Sequence, residues 1–493
     1  MDLSFLKNIS KEKKYFLIFL LVHFIVWTCI GLIRTVLPTD SLEGIYWGYL
    51  HDFGTPKHPP LAGWLTYLAY IPFKHDISIY ILSQGFILIG FIYIYKLAKF
   101  FLDDTKSMLA VIVMEGCWVY SYITGYYGFN PDVILLGMLP MITYYFYRCM
   151  TENKGINWII LGVLVGISLL NKYQTGMVIV PMAVYAAIFK RDTFKNIYFY
   201  LSMVIALLIF LPHILWLINY DFFPFMYFEG ELSSPKWYSH LTAPLMFLFM
   251  QFVVIAGVLV IFGIMKFVSK SKYELIKDYD NKDFWFLIIL GLVPNLIHLI
   301  MGFVEGGNMR PRWGFVFWYM TGIMLFYFFP TIINNKEFKT VLKSAYAVML
   351  IIFLSLGTLL TVEKNYRSRY PVSTIYGDMQ RIWTENQTTP LKYIGGYIEW
   401  TLPLTIYGKS HPDCILDTFG YKNPWIDEED LKKKGAVFID RNQFLIEDEV
   451  RKGCPYISKE TEIIPVEYKF IVHNALKMPR EYTIYYYMVA PQN

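Results

Sequence analysis

Between residues 15 and 362 the chain returns eleven times to an apolar run of membrane-spanning length: 15–37, 77–98, 107–126, 131–149, 156–172, 174–189, 196–218, 241–265, 284–302, 313–330 and 340–362. A helix crossing a bilayer needs about 20 predominantly apolar residues, so the recurrence predicts a mainly α, polytopic membrane protein with about eleven transmembrane helices. Composition agrees: 56% of residues are hydrophobic and 17% charged, against about a quarter charged in ordinary soluble domains. Lys7, Lys11, Lys13 and Lys14 precede the first run. A basic flank of this kind also introduces signal peptides, but the run is long and no small-x-small cleavage pattern follows, so it reads as a retained first helix. The runs at 156–172 and 174–189 meet at Asn171, Lys172, Tyr173 and Gln174 and are the least distinct pair. The run PPLAGWLTYLAYIPF at 59–73 is too short to span and fits a helix lying in the interface.

Basic residues in the short loops fall twenty on one side and seven on the other if the N-terminus is cytoplasmic. This positive-inside bias puts the first loop, 40–61, on the outer face. Eleven spans then also place the C-terminus outside, periplasmic or extracellular, with the body of the chain in the plasma (inner) membrane. From Glu363 onward the long apolar runs stop and charges and turn residues become frequent. GAVFID (435–440), EIIPVEYKFIV (462–472) and EYTIYYYMV (481–489) read as strands, and DEEDLKKK (427–434) as a short polar helix. The expected organisation is a membrane domain over 1–363 and a soluble α/β domain over 364–493. Net charge is only +5 and no long basic block stands out, which argues against a nucleic-acid partner. Cys29, Cys117 and Cys149 fall in or beside spans, whereas Cys414 and Cys454 share the outer domain and are candidates for a disulfide there.

The outer loops concentrate the groups that could do chemistry. Asp40 and Glu43 stand three apart, so on a helix both carboxylates share one face. Such a pair can take a proton from an attacking hydroxyl or amine, or hold a divalent metal together with Asp132. The structural alternative makes Asp40 a helix N-cap and Glu43 its capping-box partner. Lys57 and His58 precede Pro59-Pro60, which fixes the start of the next helix; a rigid cation there suits a lipid phosphate, and an interfacial lysine that snorkels to headgroups is the alternative. Asp132 follows Pro131 at a helix start, where the dipole stabilises a carboxylate. Arg310 and Arg312 flank Pro311 before Trp313 and suit a phosphate or act as headgroup anchors. Lys172, inside LLNKYQTG, must find water, a phosphate or a carboxylate.

The order of these motifs resembles a known family. An acidic pair followed by YWG, then KHPPLAGW, then NPD before a helix, then GVLVGISLLNKY (162–173) is similar to bacterial relatives of the dolichyl-phosphate-mannose protein O-mannosyltransferases, which include the lipid A aminoarabinose transferase. An NPWID segment (423–427) before GAVFI extends the resemblance into the outer domain. The resemblance implies a GT-C glycosyltransferase that moves a hexose or pentose from a polyprenyl phosphate to a lipid, glycan or protein acceptor of the cell envelope, with inversion. It implies that Lys57, His58, Lys172, Arg310 and Arg312 hold the donor phosphate, that Asp40 or Glu43 is the base, and that Asp132 orients the acceptor or a metal. Ser41 and Leu42 separate acids that the family commonly has adjacent. A lipid transporter or flippase would instead show broken midplane helices and repeat symmetry between halves, and neither is evident. A glycan- or lipid-binding sensor would leave the acidic first loop without a role.

Overall fold

The computed structural model describes residues 10–152, 154–232, 236–270, 275–306, 310–416, 423 and 425–492. Lys7 and Lys272 of the basic count, and Pro424 of NPWID, lie outside them. Seven of the eleven apolar runs are single helices long and apolar enough to cross a membrane: Lys11–Ile33, Ile77–Ala98, Pro131–Glu152, Ile197–Asn219, Ser239–Ser269, Lys282–Glu305 and Asn335–Val362. The run at 107–126 is a broken pair, Asp104–Gly116 and Trp118–Tyr127, bent by 80°. The runs at 156–172 and 174–189 form shorter apolar helices, Gly155–Leu169 and Tyr173–Phe189. The run at 313–330 is split into Arg312–Phe315, a 3-10 turn and Thr321–Phe328. Every run therefore contains helix, but among the described residues seven to eight spans have crossing length, and the count of eleven is not reached. Hydropathy measures how apolar a run is and does not see where its backbone breaks.

The chain divides into two compact units. The first comprises Met1–Gly31, Phe53–Ala62 and Ile77–Leu356 and is a helix bundle. Small residues let its backbones meet, the usual means of helix association in lipid. A Cβ on Gly90 would lie 2.3 Å from the Leu136 carbonyl, and one on Gly162 would lie 2.5 Å from that of Ser202. These close approaches fix the Pro131–Glu152 and Gly155–Leu169 helices. At the 80° bend Glu115 is fully buried and receives His23 Nδ1 at 2.5 Å and the Trp27 indole N–H at 2.9 Å. An acid inside an apolar run needs partners, and here it ties the break to the first helix.

The second unit comprises Leu32–Asp52, Gly63–Asp76 and Gly357–Asn493. Its five-stranded sheet has the order β2-β1-β3-β5-β4, from β1 (Tyr393–Gly396), β2 (Asp413–Leu416), β3 (Ala436–Asp440), β4 (Val466–His473) and β5 (Pro479–Val489). β1 runs parallel to β2 and β3, with the Ile398–Tyr407 helix as the crossover, whereas β5 is antiparallel to β3 and β4. Central β3 is buried at every residue, as expected of a strand covered on both faces. DEEDLKKK is a helix from Glu428 to Lys434, capped by the Asp427 side chain.

Two expectations need correction. Asp40 is not a helix cap: the helix runs Thr39–Leu50, Pro38 occupies the N-cap without a side-chain bond, and both acids lie inside the helix. Cys414 and Cys454 are buried free thiols and form no disulfide. Cys414 sits on edge strand β2, where the Tyr46 hydroxyl donates to its carbonyl at 3.1 Å and accepts from its N–H at 3.0 Å. The Thr39–Leu50 helix thereby meets the open backbone groups of Cys414 on the strand edge, while Asn423 meets those of Leu416.

Candidate active site

In the helical unit, one set of charges forms around the start of the Pro131–Glu152 helix. Asn130 caps that start, its side-chain oxygen accepting from the N–H of Asp132 at 3.0 Å and of Val133 at 3.2 Å. The capped turn holds Asp132, which accepts from Lys172 Nζ at 2.5 Å. Both side chains are mostly buried, at 19% and 12% exposure. Lys172 is carried there by the break between the two short apolar helices. The Asn171 amide donates to the Pro131 carbonyl at 2.9 Å, and the Leu61 N–H donates to the Leu170 carbonyl at 3.0 Å. The least distinct junction in the sequence is thus the point where three segments are tied together.

The third segment is the Thr55–Pro60 turn. The Thr55 hydroxyl donates to the His58 carbonyl at 2.8 Å and accepts from the His58 N–H at 2.9 Å and the Lys57 N–H at 3.3 Å. Pro59 and Pro60 follow and are buried. His58 is half-buried beside Lys172, Lys57 and Arg312, with the Asp132 carboxylate opposing them. Burial first, and then those positive charges, hold its pKa down to about 3. At neutral pH it is therefore an uncharged imidazole, able to donate or accept a hydrogen bond. Around it stand three positive charges against one carboxylate.

A cavity of about 220 Å³ adjoins this cluster, with Asp132, Asn130 and Arg312 on its wall. Apart from Thr124, the rest of the lining is apolar or aromatic, including Trp118, Tyr122, Tyr127, Leu136 and Met250. A polar collar supports the cluster. Tyr173 meets His213 Nε2 at 2.7 Å, His213 Nδ1 meets the Phe53 carbonyl at 2.7 Å, and Gln174 donates to the Trp313 carbonyl at 2.9 Å. Gln251 donates to the Pro311 carbonyl at 3.0 Å, which holds the turn carrying Arg312.

The structure thus brings together Lys57, His58, Asp132, Lys172 and Arg312. Arg310 lies exposed on the turn before Arg312. Asp40 and Glu43 belong to the other unit, where they share one face of the Thr39–Leu50 helix, Glu43 buried at 7% exposure and Asp40 partly exposed. That helix packs closely on the Leu61–Tyr70 helix: a Cβ on Gly48 would lie 2.2 Å from the Gly63 carbonyl, and one on Gly44 would lie 2.6 Å from Thr66 Oγ1. Among the described residues no three His, Cys, Asp or Glu side chains converge to hold a metal ion, and Asp132 is already engaged by Lys172. Sequence reasoning missed Thr55, His213 and Gln174. The available signals were a hydroxyl three residues before His58 and a histidine inside an apolar run.

Residues 57–216 match a family model described as dolichyl-phosphate-mannose-protein mannosyltransferase. This stretch holds KHPPLAGW, NPD and GVLVGISLLNKY, three of the motifs that carried the resemblance; the acidic pair with YWG and the NPWID segment lie outside it. The crystal structure of ArnT from Cupriavidus metallidurans bound to undecaprenyl phosphate matches at TM-score 0.63 and 13% identity, over 97% of this chain and 99% of that one. The archaeal oligosaccharyltransferase AglB from Archaeoglobus fulgidus, in complex with an inhibitory peptide and a dolichol-phosphate, matches at TM-score 0.42 and 12% identity, over 96% and 74%. No curated protein sequence matches the chain. Over residues 57–216 the chain is similar to the dolichyl-phosphate-mannose-protein mannosyltransferase family, and over nearly its whole length it has the fold of ArnT.

Proposed function

We propose that the chain is a membrane glycosyltransferase of the GT-C class that takes its sugar from a polyprenyl phosphate. The observation that carries the reading is the cationic cluster beside an apolar cavity: Lys57, Lys172 and Arg312 with neutral His58 at one end, aromatic and aliphatic walls at the other. A polyprenyl-phosphate-linked sugar has the same division, one anionic phosphodiester on a hydrocarbon tail. The family match over 57–216 and the undecaprenyl phosphate held by ArnT support the same class of donor.

In the proposed reaction an acceptor hydroxyl or amine attacks the anomeric carbon. The bond from that carbon to the phosphate oxygen breaks, and polyprenyl phosphate leaves. Lys57, Lys172 and Arg312, with Arg310 from the adjacent turn, stabilise the negative charge that develops on the leaving phosphate. His58 donates a hydrogen bond without adding charge. Asp132 holds Lys172 in place, and Asp40 or Glu43 takes the acceptor's proton. One base and a good leaving group suffice for a single inverting displacement. The acceptor would be a lipid, glycan or protein, met on the outer face of the plasma membrane as the positive-inside bias orients the chain.

The test is transfer from a radiolabelled polyprenyl-phosphate sugar by the purified protein and by Asp40→Asn, Glu43→Gln and Asp132→Asn. Wild-type transfer by all three variants would remove the assignment of the acids. Unchanged undecaprenyl phosphate binding in Lys172→Gln and Arg312→Gln would remove that of the cations.

A further inference from the structure

The sheet-containing unit has a second cavity, of about 710 Å³, within the range of roughly 300–1,000 Å³ typical of small-molecule sites. Its inner wall includes Arg369, Tyr370 and Tyr376, all buried, and its rim carries Lys409, His473 and Gln380, all exposed. We propose that this cavity binds an anionic saccharide, a sugar bearing a phosphate or a carboxylate. Three features converge on that ligand class.

The first is charge. Arg369 is only 9% exposed, and its Nη2 holds the Ile33 carbonyl at 2.9 Å and the Leu360 carbonyl at 3.0 Å. Its Nε, also buried, meets no protein acceptor. Among the residues that line the cavity there is no Asp or Glu, whereas the cations Arg369 and Lys409 both line it, with the His473 imidazole beside them on the wall. The second is ring surface. Tyr370 donates to the Trp400 carbonyl, Tyr376 bonds Ser410, and Tyr407 donates to Asp76 at 3.0 Å. With their hydroxyls committed to protein, these tyrosines offer the cavity their rings, which suit the apolar faces of a pyranose. The third is Gly377. It lies inside the Val372–Asn386 helix, where glycine costs up to about 1 kcal/mol relative to alanine. A Cβ there would meet no atom within 4 Å, so the protein's own packing does not require the glycine. The space it leaves belongs to the cavity it lines.

Binding at this cavity would stand whether or not the chain transfers sugar, so failure here leaves the transferase reading intact and the reverse. The experiment is calorimetric titration of the full-length protein in detergent with glucose 6-phosphate, glucuronate, glucose and inorganic phosphate. Both anionic sugars should bind roughly tenfold or more tightly than glucose or phosphate, the worth of one charge-assisted hydrogen bond. Lys409→Gln should weaken them by a similar factor. Gly377→Leu should abolish binding while leaving the thermal midpoint unchanged or raised, because its Cβ enters the cavity clear of every protein atom within 4 Å and leucine favours the helix over glycine. Equal affinity for glucose, equal affinity for bare phosphate, or undiminished binding in Gly377→Leu would each overturn the proposal.

Discussion

The Asp132–Lys172 pair gives the most informative perturbation. The contact is 2.5 Å between side chains 19% and 12% exposed, and removing one member of such a pair typically costs about 3–5 kcal/mol because the other is left uncompensated. The two single variants are not equivalent here. In Asp132→Asn, the charges of Lys172, Lys57 and Arg312 face one another around His58 with no carboxylate between them, so the cost should fall in that full range. In Lys172→Met, Arg312 remains on the same cavity wall as Asp132, and the cost should be lower, about 1–3 kcal/mol. The double variant should recover about 2 kcal/mol relative to the sum of the singles, since neither charge is then stranded. The assay is the thermal midpoint in detergent, where Asp132→Asn should fall by on the order of 5 °C. Undecaprenyl phosphate should raise the midpoint of Asp132→Asn more than that of wild type, because its phosphate supplies the missing negative charge. Strict additivity in the double variant, or equal ligand shifts in wild type and Asp132→Asn, would refute the reasoning.

Other outcomes follow from single features. His58 has a folded pKa of about 3 against about 6.5 when unfolded. The unfolded chain therefore binds the extra proton between those values, and stability present above pH 6.5 is lost as pH falls toward 3. Between pH 7.5 and 5 the wild type should lose at most about 2 kcal/mol more than His58→Gln, read from thermal midpoints at each pH. Thr55→Val removes the hydroxyl that anchors the Lys57–His58 turn, and should raise the donor KM more than it lowers kcat in the transfer assay. Glu115→Ala strands His23 and the Trp27 N–H inside the bundle, at about 1–3 kcal/mol per unmet group, and should lower the thermal midpoint and the yield of folded protein. Gly48→Val drives a Cβ into the Gly63 carbonyl; it should cost about 1–3 kcal/mol and loosen the helix that carries Asp40 and Glu43, visible as faster proteolysis of 39–70.

The sequence by itself determined the class of architecture. An apolar run of spanning length must satisfy its backbone internally, so each of the eleven runs is built largely of helix, seven of them as single spans. Three of the five strands, within 435–440, 462–472 and 481–489, and the polar helix at 427–434 were also legible, because alternation and capping are local properties; 462–472 turns extended only from Val466, and the four-residue β1 and β2 were too short to read. Local pattern also picked out Lys57, His58, Asp132, Lys172 and Arg312, each a polar or charged group that a membrane chain must have a reason to keep. Only the tertiary structure decided that these five converge, since Lys172 reaches Asp132 across 40 residues through a helix break that hydropathy does not register. It likewise decided that Asp40 lies within its helix, because a cap depends on where the backbone first turns helical and not on residue type. The placement of 32–52 with the C-terminal sheet, through Tyr46 on the edge of β2, was also beyond local reading. An edge strand's open hydrogen bonds are filled by whichever segment the fold delivers: at Leu416 it is Asn423, seven residues on, but at Cys414 it is Tyr46, 368 residues away in the chain.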